Sequence, residues 1–174
     1  YISRHESPVT PVADKEYPTI LCQCNGILNV GDETRIYHGR WRNTGLNEDY
    51  YAEIALATLP RDRWGALGLF PQQSEGWVWS APVTLSEGGV EIALNADHPN
   101  QMRVEISDER LGLLPEFSGK NSGIPQSSGG LESTVAWPGA DPSALSGKSV
   151  RLRVNLNRNV GLEPRLYAVY LRSG

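Results

Sequence analysis

The chain has 174 residues, a formal charge of −4 and 39% hydrophobic residues, enough for one well-cored domain or for one domain with an appended segment. Its basic residues are dispersed along the chain, which argues against a nucleic-acid surface, and no apolar run approaches the roughly 20 residues that a membrane-spanning helix needs. Gly 18 and Pro 12, set against Met 1 and Phe 2, favour many short strands and turns over helices.

The chain begins at Tyr1 with neither an initiator methionine nor a signal-peptide pattern, so the expectation is a mature product, a proteolytic fragment or an excised segment. Residues 1–17 carry two prolines, with a third following at Pro18, and little periodicity, and read as an extended lead-in. From residue 19 the pattern tightens into short strands over 19–22, 27–30 and 34–41, with turns at Asn25-Gly26 and Gly31-Asp32. Cys22 and Cys24 share a face if that segment is a strand. A disulfide at that spacing closes only with strain, and two thiols without a nearby histidine are too few for a closed zinc site, so they read as small, partly buried residues. The polar stretch 43–49 is a loop. Residues 50–59 are apolar on both faces after Glu53, as in a central strand.

A turn at 60–62 leads to a strand candidate over 63–70, then to strands over 76–80 and 82–85. Residues 88–109 are the most regular stretch. Val90, Ile92, Leu94 and Ala96 alternate with polar or small residues, as do Met102, Val104 and Ile106 after Asp97-His98-Pro99-Asn100. A period of two over both arms, with turn residues between them, predicts a hairpin whose apolar face needs a second sheet to cover it. Residues 111–130 read as a long loop with Phe117 turned inward. A strand follows over 131–137, then a single helical turn with Asp141 as N-cap and Pro142 at its first position. The last strands run over 149–157 and 165–171. The fold class is therefore all-β: a jelly-roll-like β-sandwich over 60–174, preceded by a lead-in and a short β segment over 1–59.

Several segments, taken in order, are familiar: Arg61-Asp62-Arg63-Trp64, Gly76-Trp77-Val78-Trp79-Ser80-Ala81-Pro82-Val83, Leu94-Asn95-Ala96, Arg103-Val104-Glu105-Ile106, Leu145-Ser146-Gly147-Lys148-Ser149-Val150-Arg151-Leu152-Arg153-Val154 and Leu166-Tyr167-Ala168. This order resembles the C-terminal β-sandwich of five-bladed β-propeller glycoside hydrolases of the invertase and arabinanase type. Residues 32–41 and 50–59 are similar to strands of the last propeller blade. The resemblance covers residues 26–171 and lies in strand pattern and turn placement, without a catalytic motif. In such hydrolases an aspartate early in the propeller and a glutamate in a middle blade do the chemistry, and both would precede Tyr1. The resemblance thus implies a non-catalytic, carbohydrate-associated module that either binds glycan or buttresses a catalytic propeller, in a secreted or periplasmic setting.

Sugars offer flat C–H faces that stack on aromatic rings, and hydroxyls that bond planar amides, carboxylates and guanidinium groups. Arg40, Trp41 and Arg42, with Glu48, Asp49, Tyr50 and Tyr51 close behind, supply both kinds of group and form the candidate ligand site. Trp77 and Trp79 share a strand face and could form a two-ring platform. The favoured reading for them is core, since large aromatics are mostly buried. Glycoside hydrolysis needs two suitably spaced carboxyl groups; the candidates are Glu48, Asp49 and Glu53, the set a small hydrolase would use, and Glu105 with Asp108 and Glu109. Adjacent loop acids are usually solvated, so no catalytic residue is assigned. His5, His38 and His98 stand without a Gly-x-Ser-x-Gly turn, and Gly129-Gly130 lacks the lysine and helix of a phosphate loop. No cofactor is required. β-sandwich sugar modules often hold calcium, for which Asn95, Asp97 and Asp108 are the available oxygens here, although their spacing matches no known loop. An exposed apolar patch within 19–59 would mark the buttressing role.

Overall fold

The computed structural model describes residues 23–42, 51–159 and 161–173, and the chain divides into two compact units, Tyr1–Trp64 and Gly65–Gly174. The described residues form three antiparallel sheets, and their longest helix is a four-residue 3-10 turn. The fold is all-β. No helix among them is long and apolar enough to cross a membrane.

In the first unit β1 (Gln23–Val30), β2 (Glu33–Arg42) and β3 (Tyr51–Pro60) lie side by side in sequence order. The expected turn at Gly31-Asp32 joins β1 to β2, and a polar cluster fixes this end of the sheet. Thr34 Oγ1 donates to Asn29 Oδ1 at 2.7 Å, Asn29 Nδ2 donates to Asp62 Oδ1 at 2.8 Å, and the Asp62 N–H donates back to Thr34 Oγ1 at 2.9 Å. Asn25-Gly26 is not a turn. Strand β1 runs through it and absorbs a register shift between Gln23 and Ile27. A Cβ on Gly26 would lie 3.1 Å from Tyr37 Cβ, so the missing side chain makes room for the Tyr37 ring.

The apolar run over 50–59 predicts a central strand, but among the described residues β3 is an edge of the sheet. Thr34, Ile36 and His38 on β2 are buried on one face, where Leu59 and Ala57 of β3 pair with Thr34 and Ile36. On the opposite face Tyr37 pairs with Leu56, and Ile54, Leu28 and Val30 continue the exposed apolar surface, with Ile54 at 78% exposure. The run is thus apolar on two faces, of which one is buried.

The second unit holds β4 (Glu75–Trp79), β5 (Val83–Thr84), β6 (Val90–Asp97), β7 (Met102–Ser107), β8 (Ile124–Pro125), β9 (Gly129–Ala136), β10 (Ser149–Asn157) and β11 (Arg165–Ser173). One sheet has β10 at its centre, with β4 and β5 pairing successive stretches of it and β7 pairing it as well. The other runs β11-β6-β9-β8. Val150, Leu152, Val154 and Leu156 of β10 and Met102, Val104 and Ile106 of β7 share one buried apolar cluster with Val90, Ile92, Leu94 and Ala96 of β6, Val135 of β9 and Leu166 of β11. The apolar faces of the two sheets therefore meet in a common core.

The most regular stretch of the sequence behaves differently from a hairpin. Strand β6 pairs with β11 and β9, and β7 pairs with β10, so the chain between them passes from one sheet to the other. The connection contains no tight two-residue hairpin turn of the Asn-Gly kind. His98 takes a left-handed conformation (φ 53°) and Pro99–Gln101 forms a 3-10 turn. Alternation in both arms is the same for a hairpin and for such a crossing, because either way each strand shows one face to the core.

Residues 63–70 form no strand, and only Leu67 makes a bridge, to Leu166. The carbonyls beyond it are taken instead by one side chain: the Arg158 guanidinium donates to Leu69, Phe70, Pro71 and Gln73, at 2.8 Å to Pro71. The long segment 111–130 is pinned at several points. Phe117 is buried and meets Trp137 edge-on, with ring centroids 6.3 Å apart, and Gly123 exchanges two backbone hydrogen bonds with Val104. Asp141 caps the Pro142–Leu145 turn as expected, accepting from the Ser143 N–H at 2.8 Å.

Candidate functional site

The outward face of the β4–β10–β7 sheet follows from its register. Val78, Leu152, Leu156 and Met102 point to the core or pack against it, so their sequence neighbours point away from it. The pairing sets Trp79, Arg153 and Glu105 in one row across the three strands, and Trp77, Asn155 and Arg103 in the next. Arg151, paired with Ser107, extends the face along β10.

Trp77 is 63% exposed and Trp79 is half-buried, so the two rings are not core residues. Strand β4 is an edge strand whose inward position is Val78. The indoles fall on the other side, away from the core that the two sheets of this unit share. The Arg153 guanidinium lies 5.4 Å from the Trp79 ring centroid, within the range of a cation–π contact.

Glu105 organises the middle of this face. It is 4% exposed, and its carboxylate accepts from Arg153 Nε at 2.6 Å, Asn155 Nδ2 at 2.7 Å and the Gly119 N–H at 2.8 Å, with a further ion pair to Arg153 Nη2. Burial pushes the carboxyl pKa up. The hydrogen bonds from Gly119, Asn155 and Arg153, with the Arg153 charge, outweigh it and hold the group below the ordinary glutamate value. A carboxylate kept ionised in this way orients its donors, and Arg153 and Asn155 stand fixed beside the two indoles. The face thus pairs an exposed aromatic ring with a fixed amide and a fixed guanidinium, the complement of a sugar's C–H face and hydroxyls.

The residues singled out from sequence fall elsewhere. Arg40, Trp41 and Arg42 end β2, and Tyr51 begins β3. The register joins Arg40 to Glu53, Trp41 to Ala52 and Arg42 to Tyr51. Glu48, Asp49 and Tyr50 lie outside the described residues, as do Cys22 and His5. For the calcium candidates, Asn95 is buried and donates to the Tyr170 hydroxyl at 3.2 Å, Asp97 accepts from the Tyr167 hydroxyl at 2.8 Å, and Asp108 accepts from the Arg110 and Gly112 N–H groups. No group of three or more His, Cys, Asp or Glu side chains comes together among the described residues. The signal for the Trp77 face was present in the sequence as two tryptophans at i and i+2. What it lacked was the sign of the face.

Comparison with protein-family models, curated proteins and solved structures gives no match.

Proposed function

We propose that the chain is a non-catalytic, carbohydrate-associated module of a glycosidase-like protein, built as a jelly-roll-like β-sandwich, and that it holds glycan on the outer face of β4, β10 and β7. The observation that carries this reading is the exposed Trp77 beside Trp79, in register with Asn155 and Arg153. A large aromatic at 63% exposure contributes little to folding, and it suits a ligand that stacks. Trp77 and Trp79 supply the stacking surface, Asn155 and Arg153 the hydrogen bonds, and Glu105 their positioning. The test is a glycan-array screen of the wild-type chain beside Trp77→Ala and Trp41→Ala. Selective binding that disappears with Trp77→Ala supports the reading. Binding that survives Trp77→Ala and disappears with Trp41→Ala moves the site to the end of β2, and a blank array removes glycan binding altogether.

A second reading, that the chain buttresses a catalytic propeller, is favoured by the exposed apolar face of the first sheet, where Leu28, Val30, Tyr37, Ile54 and Leu56 gather. On this reading the protein purified from its source carries a second polypeptide with glycoside hydrolase activity, and Leu56→Glu releases it. Co-purification that is indifferent to Leu56→Glu would place the contact elsewhere.

A further inference from the structure

We propose that the glycan taken by the Trp77 face is acidic, its rings bearing carboxylate or sulfate groups that are bound by Arg103 and Arg151. The inference rests on the glycan-binding reading of that face and names its ligand class.

Three arginines stand on this face, and their charges are not balanced equally. Arg153 is neutralised by Glu105. Arg103 donates from Nη1 to the carbonyls of Asn100 and Met102, at 3.3 and 2.6 Å. Arg151 donates from Nε to the Glu109 carbonyl and from Nη1 to the Ser80 carbonyl, both at 3.0 Å. Backbone carbonyls fix the direction of a guanidinium without cancelling its charge. Neither Arg103 nor Arg151 forms an ion pair with a carboxylate among the described residues, and the nearby Asp108 carboxylate is committed to the N–H groups of Arg110 and Gly112. Glu75 shares this face, two positions from Trp77 and paired with Asn157, but forms no ion pair with either arginine among the described residues, so a chain with a net charge of −4 still presents two oriented guanidinium groups within about 10–15 Å of the exposed indole.

The spacing suits one ligand. Arg103 stands two strands from Trp77 in the same register row, about 10 Å across the sheet, and Arg151 stands two positions from Arg153 along β10, about 7 Å. Both lie within the span of an oligosaccharide stacked on Trp77 and Trp79. Guanidinium groups held by backbone carbonyls are pre-oriented, and their planar forks match carboxylate and sulfate oxygens.

The test uses calorimetry with trigalacturonic acid, a neutral galactotriose and a sulfated galactotriose, on the wild-type chain and on Arg103→Gln, Arg151→Gln and Trp77→Ala. The expected result is about tenfold tighter binding of an acidic probe than of the neutral one, an advantage that shrinks as salt rises from roughly 0.01 to 1 M. The two acidic probes tell carboxylate from sulfate. Arg103→Gln, whose parent side chain is half-exposed, removes part of the advantage, and thermal melts check that each variant is folded. If the neutral probe binds as tightly as the acidic ones, and Trp77→Ala abolishes all three, the inference is overturned and the glycan reading stands. If no probe binds, the inference is overturned, and the glycan array alone decides the glycan reading.

Discussion

The Arg153 guanidinium faces Trp79 at 5.4 Å and donates from Nε to Glu105 at 2.6 Å, so one side chain joins the aromatic surface of the candidate site to its buried carboxylate. Removing it strands the acid. Arg153→Met should cost about 1–3 kcal/mol, because Glu105 keeps only Gly119 and Asn155 as partners in a desolvated position. Adding Glu105→Gln removes the buried charge, and the double variant should lose less than the sum of the single losses. Urea denaturation of the four proteins measures the coupling, and strict additivity would mean that the pair makes no mutual contribution.

The same carboxylate sets a pH dependence. Its folded pKa lies below the ordinary value, so in the unfolded chain it binds protons at a higher pH than in the folded one. The stabilisation is fully present above the unfolded glutamate pKa of about 4.3 and is lost as pH falls through the lower folded value. Acid titration of stability should therefore be steeper below about pH 4.5 for wild type than for Glu105→Gln. Identical slopes would show that the hydrogen bonds to Gly119, Asn155 and Arg153 do not favour the ionised form.

Trp77 and Trp79 should separate in their effect on folding. Trp77→Ala, at a 63% exposed position, should change stability by no more than about 0.5 kcal/mol. Trp79→Ala, at a half-buried position, removes the ring under Arg153 and should cost more than that. Thermal melts of the two variants decide it, and a collapse of the Trp77 variant would return that ring to the core.

Much of the fold was legible because β10 and β11 announce themselves. Val150, Leu152, Val154 and Leu156 alternate without interruption, and the Asp141-Pro142 cap is a local device that needs no tertiary context. Pairing was not legible. The alternation of β6 and β7 shows that each has a core face, and the partners of that face depend on residues 149–157 and 165–173, far along the chain. The same limit hid the site. Sequence shows that Trp77 and Trp79 share a face, but which face of an edge strand is outward is decided by Val78 meeting the core between the two sheets. For Arg40, Trp41, Arg42 and Tyr51 the sequence supplied a grouping, and the structure places their backbones in register at the open end of β2 and β3.

Leu111 holds a left-handed backbone, φ 68°, in the turn after β7. The Asp108 carboxylate accepts from the Arg110 and Gly112 N–H groups there, and Leu111 N donates to the Asp108 carbonyl at 3.2 Å, so the surrounding bonds impose the conformation. The side chain is half-exposed at 50%, and its loss forfeits little packing. Leu111→Gly should raise stability by up to about 1 kcal/mol, the strain of a left-handed non-glycine residue less the added entropy of the unfolded chain. A lower melting temperature would mean that the leucine packs more than its exposure implies.

Gly123 gives the opposite case, a position where space rather than conformation demands glycine. A Cβ there would lie 2.5 Å from Val135 Cγ1 and 2.6 Å from Trp137 Cε2, far inside van der Waals contact. The backbone cannot retreat without breaking the bonds it exchanges with Val104, 2.7 Å from its N–H and 3.0 Å to its carbonyl. Nor can Trp137 move freely, since its ring packs edge-on against Phe117. Gly123→Ala should therefore cost about 1–3 kcal/mol, the usual range for overpacking a core. Val135→Ala opens space on one side of the new methyl group, so the double variant should recover part of the loss and come out less destabilised than the sum of the two single changes. Denaturant titrations of the single and double variants supply the comparison. A neutral Gly123→Ala would show that segment 111–130 can shift away from the β9 strand at no cost, and that the buried Phe117 does not anchor it.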